Sequence, residues 1–209
     1  MLIKKVFFIL LILNILNADD YNINSIKAQV FNTAMQLDKK YNIDKKIILA
    51  YIKTESAFKP YPIAIKADNQ KLVSQFYNIM GIKNKKYGSK YVSISPKNRN
   101  EAKIAYDMLL KNKDIFQVKD YDLGIMQINT RNIKRYGIDE KETYLNYRQN
   151  MLYGADIIRG CYDILKNKTN INNILECYNR GSSIKFLNKS NRTYLAKFLK
   201  NYKDLNEFQ

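Results

Sequence analysis

Histidine is absent from all 209 residues. That removes Ser-His-Asp and Cys-His catalysis, together with any zinc site built on imidazole. The two cysteines, Cys161 and Cys177, are too few to close a structural zinc site alone. Acids are scarce beside bases, 19 Asp and Glu against 36 Lys and Arg, for a net charge of +17. Long apolar runs are missing as well. The longest, Val6 to Leu13, is extended by Ile15 and Leu16 but broken by Asn14, and is too short to span a bilayer comfortably. Carboxylate, Tyr, Lys or Ser chemistry is what remains for a catalyst. The length suits one domain with a sizeable core.

Lys4 and Lys5 precede that apolar run, and Asn17-Ala18-Asp19-Asp20 follows it. A basic start, a short apolar segment and a small residue before polar sequence predict a signal peptide over residues 1–18, cleaved after Ala18. An uncleaved N-terminal anchor is the alternative. No Cys near the cleavage point suggests lipid attachment. Removing residues 1–18, which hold two lysines and no acid, leaves the mature chain at +15. Such an excess favours a polyanionic partner, and an exported protein would meet an acidic wall polymer or membrane rather than nucleic acid. The lysines are scattered among Asn and Ile, so general composition explains the excess equally well. In an oxidising compartment Cys161 and Cys177 either pair or sit as buried thiols on neighbouring helices; both readings stand.

The periodicity is mostly helical. Ile26, Val30, Phe31, Ala34, Leu37 and Tyr41 define a first helix from about Ser25. Asp44 is a suitable N-cap for a second, residues 45–57, which Pro60 and Pro62 end. Further helices are expected over 69–80 closing on Gly81, 99–112, up to Tyr136 closing on Gly137, 150–165, 172–179 and 191–202. Tyr91 to Ser95 alternates like a strand, and Ile115 to Val118 reads as a second. Tyr121 to Asn129 reads as a loop. The expected fold is mainly α, with a small two-stranded feature.

One position breaks the helical pattern. In I-I-L-A-Y-I-K-T-E-S-A-F, residues 47–58, the stripe Ile48, Tyr51, Ile52 ends on Glu55. A carboxyl group in an apolar cleft favours its neutral form, and a Glu so raised can donate a proton near neutral pH. A Glu at a fraying helix end that simply faces water is the plainer reading, and periodicity alone does not separate the two.

Four short motifs occur in order: Glu55-Ser56-Ala57-Phe58-Lys59-Pro60, Gly124-Ile125-Met126-Gln127-Ile128-Asn129, Cys177-Tyr178-Asn179-Arg180-Gly181 and Arg192-Thr193-Tyr194-Leu195. Together they resemble the lytic transglycosylases, the murein-cleaving enzymes with a goose-type-lysozyme-like fold. That family is marked by an E-S-x-F-x-P start, a G-L-M-Q loop, an A-Y-N-x-G turn and a late Tyr. The Y-D-L-G-I-M-Q-I-N form looks most like the small members that accompany type IV and type III secretion machines.

The resemblance implies a lysozyme-like single domain over 19–209, acting on peptidoglycan as a wall-associated periplasmic monomer without cofactor or metal, and secretion-machine components as possible partners. It implies Glu55 as the sole acid/base, cleaving the bond between N-acetylmuramic acid and N-acetylglucosamine and leaving a 1,6-anhydro ring. It further implies Ser56, Gly124, Ile125, Met126, Gln127, Tyr178 and Asn179 around the sugar, and Tyr194 reaching the acid. Each alone reads as plain core or packing; the functional reading comes from the set. Goose-type lysozymes carry an Asp two residues after the loop Gln, where this chain has Asn129, which cannot act as a base; Asp120 and Asp122 lie nearby and keep hydrolysis open. Departures are Ala64 in place of a frequent Ser, Cys177, Arg180, and the 69 positions from Glu55 to Gly124. Residues 66–120 therefore read as an inserted subdomain, either a groove wall, a partner site or a stabilising decoration. A lysozyme-type hydrolase and a catalytically silent wall-binding component of a secretion system are the competing functions, with a basic membrane-active protein a remote fourth.

Overall fold

The computed structural model describes residues 23–67, 91–166, 170–180 and 192–205. The expected signal segment and the helix over 69–80 with Gly81 lie outside the described residues. Within them the chain is mainly helical with one small antiparallel sheet, consistent with a lysozyme-like fold.

Helix α1 (Ile23–Tyr41) buries Ile26, Val30, Ala34 and Leu37, one residue every three or four. Helix α2 (Lys45–Ser56) follows, with the Asp44 carboxylate accepting the Lys46 N–H at 2.8 Å and so satisfying a donor that no helical carbonyl can reach. Ile48 to Ile52 are all buried, which makes α2 the central helix. It stops where Ala57 and Phe58 both turn left-handed, at φ 53° and 64°. Two such non-glycine residues in succession cost about 1 kcal/mol each. The Phe58 ring, stacked on Phe31 at 6.3 Å, helps hold the turn.

Four strands come next in space: β1 (Ile63–Ala67), β2 (Tyr91–Ile94), β3 (Val118–Leu123) and β4 (Ile128–Asn129), in the order β2-β1-β3-β4. The sheet is thus larger than the two strands expected. The segment read as a loop from Tyr121 supplies the second half of β3 and all of β4, because Leu123 and Tyr121 pair with Ile63 and Ile65 some sixty residues back, beyond any local pattern. Of the strand expected over 115–118 only Val118 is strand, the first residue of β3; residues 115–117 form a turn closing α3 (Arg99–Asn112). The Phe116 N–H bonds the Asn112 carbonyl at 3.0 Å and the Val118 N–H that of Lys113 at 2.8 Å, so the free carbonyls of the helix end take these donors.

The sheet is two-faced. Ile63, Ile65, Val92, Ile94, Tyr121 and Leu123 point into the core; Ala64, Lys66, Asp120 and Asp122 point the other way. Helices α4 (Thr130–Tyr136), α5 (Glu140–Leu145), α6 (Tyr147–Leu165), α7 (Ile171–Arg180) and α8 (Arg192–Asp204) complete the described chain. The sequence pattern missed α5, a single acidic turn and a half started by the Asp139 carboxylate on the Glu142 N–H at 2.6 Å. Helix α8 lies along α2, α1 packs on α2 and α6, and α6 carries α7. Cys161 of α6 and Cys177 of α7 are bonded as a disulfide.

Candidate active site

The polar face of the sheet, the end of α2 and parts of α4, α6 and α7 enclose a cleft of about 610 Å³. Glu55 lines it, as do Gln127, Tyr178 and Asn179 from the expected set. Glu55 is half-buried, its carboxyl group closely surrounded by protein at the cleft wall. Burial pushes that carboxyl up from 4.5 to about 7, and the neighbouring Asp122 carboxylate adds to the rise; the Tyr194 hydroxyl, which donates to Glu55 Oε1, and the Lys197 ammonium act in the opposite sense. Such a group is part protonated and part ionised at neutral pH, the state from which one carboxyl can both give and take a proton.

The other expected residues build the frame. Ser56 is buried and donates its hydroxyl to the Ile52 carbonyl at 2.9 Å, so it finishes α2 rather than facing the cleft. Gly124, Ile125 and Met126 are buried beneath the cleft floor. Gly124 has φ 76°, and a Cβ there would lie 2.5 Å from Asn150 Nδ2, so turn and packing both demand glycine. Asn150, fully buried on α6, fixes this turn by accepting the Met126 N–H at 2.8 Å and donating to the Leu123 and Thr143 carbonyls at 2.9 and 3.2 Å. Gln127 (φ 48°) then turns back, its amide donating to the Gly124 and Pro62 carbonyls at 2.8 and 3.1 Å. Tyr178 donates to the Met126 carbonyl at 2.7 Å, and the disulfide at its neighbour Cys177 pins that helix to α6. The glycine loop, the Tyr178-Asn179 pair at the end of α7 and the acid are thereby drawn together from three distant segments.

The cleft also holds residues outside the set implied around the sugar. Asp122 of β3 pairs with Ala64 of β1 and accepts from Asn129 Nδ2 at 2.7 Å. Burial lifts it to about 6, Asp120 adding to the rise, while the Asn129 hydrogen bond and Arg131 lower it. Asp120 pairs with Arg131, whose Nε lies 3.0 Å from Oδ1. Lys66 and Arg180 complete the rim. Strand alternation in K-D-Y-D-L was the available signal: with Tyr121 and Leu123 in the core, Asp120 and Asp122 must share the opposite face.

The family model described as the transglycosylase SLT domain matches residues 32–201. The chain belongs to the lytic transglycosylase family. Membership gives it a transglycosylase domain and a peptidoglycan substrate in general terms. No curated protein matches the chain significantly. In a lytic transglycosylase a polar cleft suits glycan, whose hydroxyls and amides need partners. This one offers carboxylates, amides and guanidinium groups along its length. Among the described residues no group of side chains suited to a metal ion occurs, and no helix is long and apolar enough to cross a membrane.

Proposed function

We propose that this protein is an exported lytic transglycosylase that cleaves the β-1,4 bond between N-acetylmuramic acid and N-acetylglucosamine, with Glu55 as its single general acid/base. The observation that carries the reading is the Glu55 carboxyl, poised near neutrality on the cleft wall and held by Tyr194. In the first step Glu55 donates its proton to the glycosidic oxygen, and the departing sugar leaves with a free hydroxyl. Positive charge develops at the muramoyl C1, where the substrate's own 2-acetamido oxygen stabilises it. Glu55, now a carboxylate, takes the proton of the muramoyl C6 hydroxyl as that oxygen closes on C1, giving a 1,6-anhydro end. The Tyr194 hydroxyl bond stabilises the carboxylate between the two steps. Gln127, Tyr178 and Asn179 are the sugar-facing residues of this scheme. Residues 66–120 contribute Lys66 and Asp120 to the cleft, which favours the groove-wall reading of that segment.

The disulfide accords with export into an oxidising compartment, and the signal-like residues 1–18 with periplasmic delivery. The Y-D-L-G-I-M-Q-I-N form favours service beside a secretion machine. Purified murein digested by the mature chain is expected to yield 1,6-anhydromuramoyl ends by mass spectrometry. Glu55→Gln, which keeps size and hydrogen bonding but has no transferable proton, is expected to abolish clearing while wall binding persists. Full clearing by that variant would overturn the mechanism.

One observation favours a second reading. Asp122 is a partly buried carboxylate in the same cleft, and a carboxylate across the sugar from an acid can activate water. Reducing muramic ends in place of anhydro ends would select this hydrolytic route.

A further inference from the structure

Helix α8 grips the last turn of α2 along one stripe. Tyr194, Lys197, Phe198 and Asn201 fall at i, i+3, i+4 and i+7. Tyr194 donates to Glu55, and the Phe198 ring packs edge-on against Tyr51 of α2 at 5.0 Å. The other two converge on Thr54, the residue before the acid. Asn201 Nδ2 donates to Thr54 Oγ1 at 3.0 Å, and the Lys197 ammonium donates to the Thr54 carbonyl. That carbonyl lies in the final turn of α2. The Ala57 N–H already bonds Lys53, and the left-handed residues 57 and 58 lead the chain away. A cation at a helix C-terminus both satisfies such a carbonyl and suits the partial negative charge there.

We propose that Lys197 is a positioning residue for the acid: docked on the carbonyl next to Glu55, its ammonium fixes the end of α2 and keeps a positive charge beside the carboxylate. The proposal rests on Glu55 being the general acid/base, because such a group must be ionised halfway through its cycle and protonated at the start. Burial and Asp122 of β3 both oppose the ionised state; Tyr194 and Lys197 of α8 support it. Tyr51 of α2, Tyr178 of α7 and Tyr194 face the same carboxyl and are themselves pushed up by burial, so they stay neutral over the working range. Lys197 thus sets how readily Glu55 returns from base to acid without touching the substrate.

The test is a carbon-13 NMR titration of the Glu55 side-chain carboxyl in the full chain, assigned by its loss in Glu55→Gln. Lys197→Met is expected to raise the midpoint by about half a pH unit, the scale of one solvent-facing charge near a carboxylate. Lys197→Arg is expected to restore it. Lys197→Gln keeps a donor for the Thr54 carbonyl but carries no charge, and is expected to titrate like Lys197→Met; it serves equally should the Met variant not fold. Asn201→Ala loosens Thr54 and leaves the charge, so its midpoint stays at the wild-type value. The alkaline limb of murein clearing moves with the NMR midpoint. A folded Lys197→Gln or Lys197→Met with the wild-type midpoint overturns the proposal. Because the titration needs no turnover, that result is distinct from failure of Glu55→Gln to lose activity, which would remove the acid/base reading itself.

Discussion

A buried acid that works near pH 7 costs the folded chain stability, and Glu55→Gln should reveal how much. Its carboxyl lies at about 7 in the fold against 4.5 for an ordinary glutamate. The folded state therefore holds this proton more tightly than the unfolded chain does, and stability declines wherever the unfolded chain has ionised and the fold resists. The contribution is intact below pH about 4.5, is lost as pH rises toward about 7, and is constant beyond. The difference in proton affinity corresponds to about 3 kcal/mol at the plateau and about 1 kcal/mol near pH 5. Glutamine does not titrate, and its side-chain oxygen still accepts from Tyr194. Comparing the two proteins thus isolates the one carboxyl. Denaturant and thermal unfolding near pH 4, 5.5 and 8 should find them nearly equal in acid and the variant more stable above neutrality, by about 6–12 °C in Tm. A gap that does not widen with pH, or a wild type as stable as the variant near pH 8, would mean that the carboxyl is well solvated. The proton-transfer argument would then lose its physical basis.

Three further outcomes follow from the same structure. Cys177→Ser opens a link across a sequence separation of 16 and is expected to cost about 3 kcal/mol, read as a Tm lowered by about 6–12 °C, with turnover falling because Tyr178 loosens. Gly154→Ala places a Cβ 2.7 Å from Met126 Cε and 2.9 Å from its Cβ, so strain of about 1–3 kcal/mol should outweigh the helix-propensity gain and shift Met126, measured as lower stability and slower murein clearing. Asp122→Asn is expected to retain anhydro-product formation. A general base lifted to about 6 would instead make activity fall about tenfold per pH unit below that point and vanish in the variant, so the acid limb of the rate profile checks the two routes directly.

The helices were the most legible part of the fold. Asp44 at the N-terminus of α2, the apolar face of α3 and Gly137 at the end of α4 each write their effect within a few residues, and 99–112 was read to the residue. The sheet was less so. Val118 to Leu123 mixes Lys and Asp with Tyr and Leu, and only pairing with Ile63 and Ile65 distinguishes such a segment from a loop. At the site, the motifs marked Glu55, Gln127, Tyr178, Asn179 and Tyr194, which converge on the cleft or on the acid. Lys66, Arg131 and Asn132 lay outside every motif, since their place on the rim depends on the sheet and on α4.

Composition alone excluded imidazole chemistry, and spacing alone raised the question of an acid on an apolar stripe, because periodicity and residue chemistry are local properties of a chain. Whether that acid is dry is not a local property. It follows from β3, α7 and α8 closing around the end of α2, and from Thr54 being held by two residues more than 140 positions away. Desolvation and Coulomb interactions depend on distances through space, and only the folded arrangement supplies them. The same holds for the pairing of Cys161 with Cys177: the sequence left two thiols and a bond equally open, and the packing of α6 against α7 brought them together.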